Sequence, residues 1–356
     1  MGKLSCSSGS DVPIDGCDSQ RSCVHREPAE ATDVGTLTHP LGLVRRTDRG
    51  SAALVGLACG MRIVSLLPST TEILHALGAG QDVVGVTFEC DYPPSARTAR
   101  IVSTSSLPDG LTPGAIDALV AQRLADGEDL YHLDAGALAG LDADVVVTQN
   151  LCAVCAVDVS VVDDALAHLG CQAQVVTTDP HTLEDVLASI EQLGDVCGRP
   201  TAARQLVATL RRRLAAVSAA VSGRHRPRAL VLEWTDPPFA PGHWVPQMVQ
   251  TAGATTVMGE AGTKAYRVSW ADVAACAPDV VVSAPCGFAL PASVELARDM
   301  TASGHLPPHV PVWAVDANAS FARPGPRLVD GVEALAAIMH APAVGPPDPA
   351  IAEQVR

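Results

Sequence analysis

Short apolar runs alternate with amphipathic stretches over most of the chain. Residues 62–67, 83–87, 101–102, 144–148 and 173–177 are brief apolar runs, the first and fourth long enough for buried strands. Between them the apolar positions recur at helical spacing. Ser69-Thr-Thr-Glu72 has the form of a capping box, with Ser69 capping and Glu72 reaching back; Ile73, Leu74 and Leu77 then share one face up to Gly78. Thr112-Pro113 offers an N-cap and a first-turn proline for a helix to about residue 125. Brief helices are expected at 134–141 and 161–169. Strands alternating with helices predict a parallel sheet, and residues 62–180 read as one α/β lobe.

From 182 to about 221 the pattern is almost wholly helical, capped at Thr182-Leu-Glu-Asp185 and interrupted at Gly198-Arg-Pro200. Residues 181–223 therefore read as a stiff connecting helix. A second α/β lobe spans 226–342, with strands at 229–234, 279–283 and 311–315 and helices at 244–252, after Ser269, and at 325–339. Asp144-Val-Val-Val-Thr and Asp279-Val-Val-Val-Ser echo one another, one in each lobe. Two such lobes face to face make a cleft lined by strand-end loops, where open α/β sheets bind ligands. Residues 343–356 are Pro- and Ala-rich and read as a frayed tail.

Composition narrows the function. Apolar residues make up 47% and aromatics only 3%, so Val, Leu and Ala must fill the core. The formal charge of −15 argues against a nucleic-acid partner. Eleven cysteines, an odd number without regular spacing, suit a reducing compartment better than a disulfide framework. Residues 1–60 are polar and aperiodic and read as a disordered tail or a start site placed too early, with Met61 the true start. Arg45-Arg46 followed by the apolar run from Ser51 to Cys59 faintly resembles a signal with a lipidated cysteine. The expected location is cytoplasmic, the alternative exported or lipid-anchored. No GxSxG, P-loop or HExxH occurs, and no enzyme activity is expected.

A family resemblance rests on several pieces in order: SLLPSTTEILHALGA followed by VVGV, DYPP at 91–94, DADVVV at 142–147, DPPF at 236–239, VSWADV at 268–273, PDVVV at 278–282 and FARPGPRLVDGVEAL at 321–335. Together they resemble substrate-binding proteins for cobalamin and iron complexes, especially the vitamin B12-binding type and its predicted relatives without a clear export signal. The resemblance implies two α/β lobes joined by a long helix, with one ligand between them. It implies a monomer that binds a small-molecule metal complex, a corrinoid such as cobalamin, and serves an ABC transporter permease if exported. By position, Trp270, Phe239 and Phe321-Ala-Arg323 match ligand-facing loops, and Arg323 suits a carboxylate or phosphate group. Glu89-Cys90 stands where the B12-binding type has an aromatic.

Four cysteines, Cys90, Cys152, Cys155 and Cys286, fall in loops after strands. If they meet, they offer four thiolates to zinc or an iron–sulfur cluster, the basis of a redox alternative, or one thiolate to cobalt. Each taken singly also reads as a small buried residue. His243 reads either as a metal ligand or as a helix N-terminal residue. Glu89, Asp91 and Glu233 complete the charged candidates at the cleft, while Cys171, Cys197 and Cys276 read as structural.

Overall fold

A computed structural model describes residues 60–356, apart from 106, 109, 127–130, 134–135, 150–161 and 163–171. In the first lobe, β1 (Ile63–Ser65), β2 (Val83–Val86), β3 (Arg100–Ile101), β6 (Val145–Gln149) and β7 (Gln174–Thr178) form a parallel sheet in the order β3-β2-β1-β6-β7. A separate antiparallel pair joins β4 (Ser103–Ser105) to β5 (Tyr131–Leu133), with helix α2 (Pro113–Asp126) between them in sequence. Strand order reverses at β1, so the crevice for a ligand opens where β1 and β6 end.

Helix α1 (Pro68–Ala76) follows β1, and here the structure corrects the expected capping box. Leu67 is the N-cap, without a side-chain cap, and Pro68 opens the helix. Proline is preorganised for the first helical position, which places Ser69 inside the first turn, where it cannot cap. Glu72 is left to bond elsewhere. The hydroxyls of this turn join a buried network instead: Ser65 Oγ lies 2.7 Å from Thr70 Oγ1, and Thr71 Oγ1 lies 2.9 Å from Ser65 Oγ.

The stretch expected as a connecting helix interrupted at Gly198-Arg-Pro200 is two helices that meet there. In α3 (Leu183–Val196) the Thr182–Asp185 capping box forms as expected. In α4 (Pro200–Val221) a proline again opens the helix. Gly194 lets the pair approach closely, since a Cβ there would stand 2.3 Å from that of Ala203. The true connector is α4. Its Ala203, Val207 and Leu210 lie in the core under the first sheet, its Val217 and Val221 lie in the core under the second, and Leu214 packs against both. A helix buried at both ends in different cores holds the lobes at a set distance.

The second lobe is built on β8 (Arg228–Leu232), β11 (Thr255–Thr256), β13 (Val280–Ser283), β14 (Val312–Val315) and β15 (Ala352–Gln354), in the order β11-β8-β13-β14-β15. All pairs are parallel except β14–β15. Thus the expected frayed tail is corrected: residues 352–354 form an edge strand, and Arg356 donates to the carbonyls of Val310 and Pro307 at 2.9 Å. The Pro-rich composition describes the loop before this strand, whereas the open edge of β14 recruits the last few residues of the chain. A small antiparallel sheet, β9 (Trp234–Thr235), β10 (Pro238–Ala240) and β12 (Tyr266–Arg267), was not expected; its strands are too short for any periodicity. Helices α5 (Val245–Thr251), α6 (Trp270–Ala275), α7 (Leu290–Ala302), α8 (Ala317–Ser320) and α9 (Leu328–Val344) complete the lobe.

The internal echo is structural. Asp144 and Asp279 each precede a central strand, and each accepts a 2.8 Å hydrogen bond from a backbone N–H, of Arg62 and Arg228 respectively. Each also donates its own N–H to that arginine's carbonyl, at 2.8 Å. Both arginines reach the carbonyls of the preceding loop, at Leu141 and Ala277. One aspartate–arginine lock therefore sets strand register in both lobes.

Candidate ligand cleft between the lobes

Among the described residues, hydrogen bonds across the cleft gather at two places. At the first, Glu72 of α1 is buried and faces two arginines of the second lobe, on the segment between α8 and α9. Arg323 donates to Glu72 Oε1 at 3.0 Å, to Asp91 Oδ1 at 2.6 Å and to the Glu89 carbonyl at 3.2 Å. Arg327 donates through Nε to Glu72 Oε2 at 2.8 Å, and its second contact is to Glu72 Oε1. Its guanidinium also sits 4.1 Å from the centre of the Tyr92 ring. Two carboxylates thus balance two guanidiniums. Burial disfavours the charge on Arg323, but Asp91 and Glu72 outweigh it and hold its pKa above the ordinary arginine value. Arg323, expected to pair with a ligand anion, is engaged here by three protein acceptors.

At the second place, the start of α2 meets the small sheet of the other lobe. Trp234 Nε1 donates to the carbonyls of Pro113 at 3.3 Å and Asp236 at 3.0 Å. Asp117 accepts from Arg267 at 2.6 Å. Gly114 sits so close that a Cβ there would lie 2.9 Å from Asp236 Oδ2. Arg267 lies 5.8 Å from the centre of Phe239, and Trp234 packs tilted on Phe288 at 5.7 Å.

Other expected site residues divide. Phe239 is half-buried on β10, beside this second contact. Phe321 is buried in the core with Trp244, whose Nε1 donates to its carbonyl at 2.7 Å; its expected ligand-facing place is corrected. Trp270 stacks on His305 at 5.1 Å and packs against the Val273 cluster of its own lobe. His243 stands before α5 with a left-handed φ of 49° and donates its backbone N–H to Thr263 at 2.6 Å. Its ring lies 6.0 Å from His181, and burial, with His181 and Lys264, pushes its pKa down. Glu233, just past β8, accepts from the Gly242 N–H at 3.0 Å; burial pushes its carboxyl up to about 7.

The cysteine tetrad finds no support at the two of its members that the structure describes. Cys90 is 1% exposed in the first-lobe core, its sulfur 3.1 Å from the hydroxyls of both Thr71 and Thr87. Burial raises its pKa, the opposite of what a thiolate ligand needs. Cys286 is exposed, and Cys152 and Cys155 lie outside the described residues. Among the described residues, no group of three or more His, Cys, Asp or Glu side chains is placed to hold a metal ion.

Reading the residues alone missed Arg327, Asp117, Arg267 and Trp234. Arg327 lies inside the FARPGPR piece and was within reach; the exposed pair Asp117–Arg267 is separated by 150 residues and leaves no local signal. A cavity of about 730 Å³ lies elsewhere, between α4, α9 and the loop before β15, where Arg213 is paired with Asp330 and Glu333.

Residues 63–304 match the periplasmic binding protein family. The chain belongs to this family. Its members are substrate-binding proteins rather than enzymes. Among curated relatives, the uncharacterized ABC transporter substrate-binding lipoprotein YvrC of Bacillus subtilis strain 168 is 25% identical over 291 residues, covering 77% of this chain and 78% of the relative. The vitamin B12-binding protein of Salmonella typhimurium LT2 is 27% identical over 232 residues, covering 65% and 74%. Among solved structures, the periplasmic heme-binding protein RhuT of Roseiflexus sp. RS-1 in apo form matches with a TM-score of 0.58 at 20% identity, over 80% of this chain and 99% of that one. The periplasmic vitamin B12-binding protein BtuF of Vibrio cholerae gives 0.55 at 20%, over 78% and 96%. These structures establish the two-lobe α/β fold. The expected cytoplasmic location is overturned: the family is periplasmic, and the Bacillus relative is a lipoprotein.

Proposed function

We propose that the protein holds a corrinoid or a related metal complex between its lobes, as the exported substrate-binding component of an ABC-type uptake system. The observation that carries this reading is the junction itself. Segments at the strand ends of both lobes meet there, with Tyr92 at the first contact and Trp234, Phe239 and Phe288 at the second. Flat, largely apolar ligands suit aromatic walls with few polar anchors. Support for the ligand class comes from relatives named for vitamin B12 and from similar folds named for heme and vitamin B12. With Arg323 and Arg327 committed to Glu72, recognition rests mainly on shape and apolar contact. Export fits the run that ends at Cys59, which lies outside the described residues and offers a site for a lipid tether.

The test is retention of ligand. Protein mixed separately with cyanocobalamin and with hemin is desalted, and its absorbance is compared with untreated protein. Corrinoid bands that stay with the protein, and resist an excess of hemin, support the reading. Retention of hemin alone moves the ligand to a tetrapyrrole of iron, and retention of neither overturns a metal complex as the cargo.

A further inference from the structure

We infer that α2 is a lid over the inter-lobe cleft, clasped by Asp117–Arg267 and by the Pro113 carbonyl on Trp234, and that Ile116, Leu119 and Val120 bear on the bound molecule. The chain leaves the first lobe at β4 and returns at β5, where Ser105 pairs with Tyr131. The excursion is therefore tied at its base to the first lobe. At the tip, Pro113, Gly114 and Asp117 meet Trp234, Asp236 and Arg267, all in the second lobe. The helix bridges the two.

Its packing is unlike that of the other long helices. Among the described residues, α2 supplies no side chain to any buried core cluster. Ile116, Leu119 and Val120, spaced i, i+3 and i+4, form one apolar stripe that is only half-buried. Such a stripe normally docks into a core. This one lies on the helix whose Asp117 reaches Arg267, the residue that sits over Phe239. The occupant assigned to it is the metal complex of the proposed function, on which this inference rests. Arg267 is 56% exposed, and an exposed ion pair is weak and screened by salt. A weak clasp on a helix that, among the described residues, adds no side chain to a core cluster lets the helix swing with little disturbance of either lobe.

The test is a charge swap. Asp117→Arg and Arg267→Asp each set like charges against one another, and the double variant restores the pair in reverse. Dissociation of cyanocobalamin, or of hemin if that is the complex retained, is followed by absorbance after dilution into competitor. Each single reversal is expected to speed release about tenfold, and the double variant to return it to within about twofold of the starting protein. In ligand-free protein, amide hydrogen exchange in α2 is expected to quicken in each single variant and slow again in the double. Release unchanged by both reversals, or a double variant as fast as the singles, overturns the lid. If the unaltered protein retains neither complex, the proposed function fails by itself. Exchange then decides the clasp, and protection of α2 unmoved by the reversals overturns it.

Discussion

Glu72 and Arg323 stand 3.0 Å apart across the lobe junction, 251 residues apart in the chain. Both are nearly buried, with side-chain exposures of 3% and 9%. Removing one partner of a buried ion pair leaves the other charge uncompensated, at a cost of about 3–5 kcal/mol. Asp91 still faces Arg323, so Glu72→Ala is expected to lose about 3 kcal/mol in urea unfolding, the low end of that range. A loss under about 1 kcal/mol would mean that water already screens the cluster.

Glu233 makes stability depend on pH in an unusual direction. Its folded pKa is about 7, against an ordinary value of 4.5. Between these values the folded state holds more protons than the unfolded state, so this group's contribution falls as pH rises. Glu233→Gln is therefore expected to be more stable than the starting protein at pH 8, by on the order of 2 kcal/mol, with the gap closing towards pH 4.5. His75 and His243, whose pKa values burial lowers, act in the opposite sense, but they are common to both proteins and cancel in the difference. A gap that does not vary with pH would rule out this assignment.

Thiol reactivity should separate the cysteines. Cys286 is exposed, whereas Cys90 and Cys197 are buried and have raised pKa values. In native protein treated with iodoacetamide and mapped by peptide mass, Cys286 is expected to react at least ~100-fold faster than Cys90 or Cys197, which wait on opening of the core. Equal rates at Cys90 and Cys286 would return Cys90 to the cleft surface.

Phe239 offers a separate test of the cleft. Its ring is half-buried beside Arg267 and belongs to none of the buried clusters. Phe239→Ala is expected to weaken binding of the retained complex about tenfold while shifting Tm by less than about 3 °C. A large fall in Tm with unchanged affinity would make Phe239 structural.

The fold was legible because its signals are local. Val-rich strands and the Thr182 and Ser269 caps act within a few residues, and all of them hold; the repeated Asp-Val-Val-Val shows in the sequence as an echo, though its aspartates bond distant arginines. The site was legible only in outline. Glu72 looked spent on a cap, Cys90 looked like a ligand and Phe321 looked like a cleft wall, because local pattern does not say which way a side chain turns. Pro68 takes the helix start from Ser69, and this frees Glu72 to meet arginines from the far end of the chain. The exposed pair Asp117–Arg267 and the edge strand β15 were beyond reach for the same reason. Propensity, capping and period are properties of neighbours in sequence. The partner of a charge, and the choice between core and cleft for an apolar ring or a thiol, are settled only when distant segments compete for the same space.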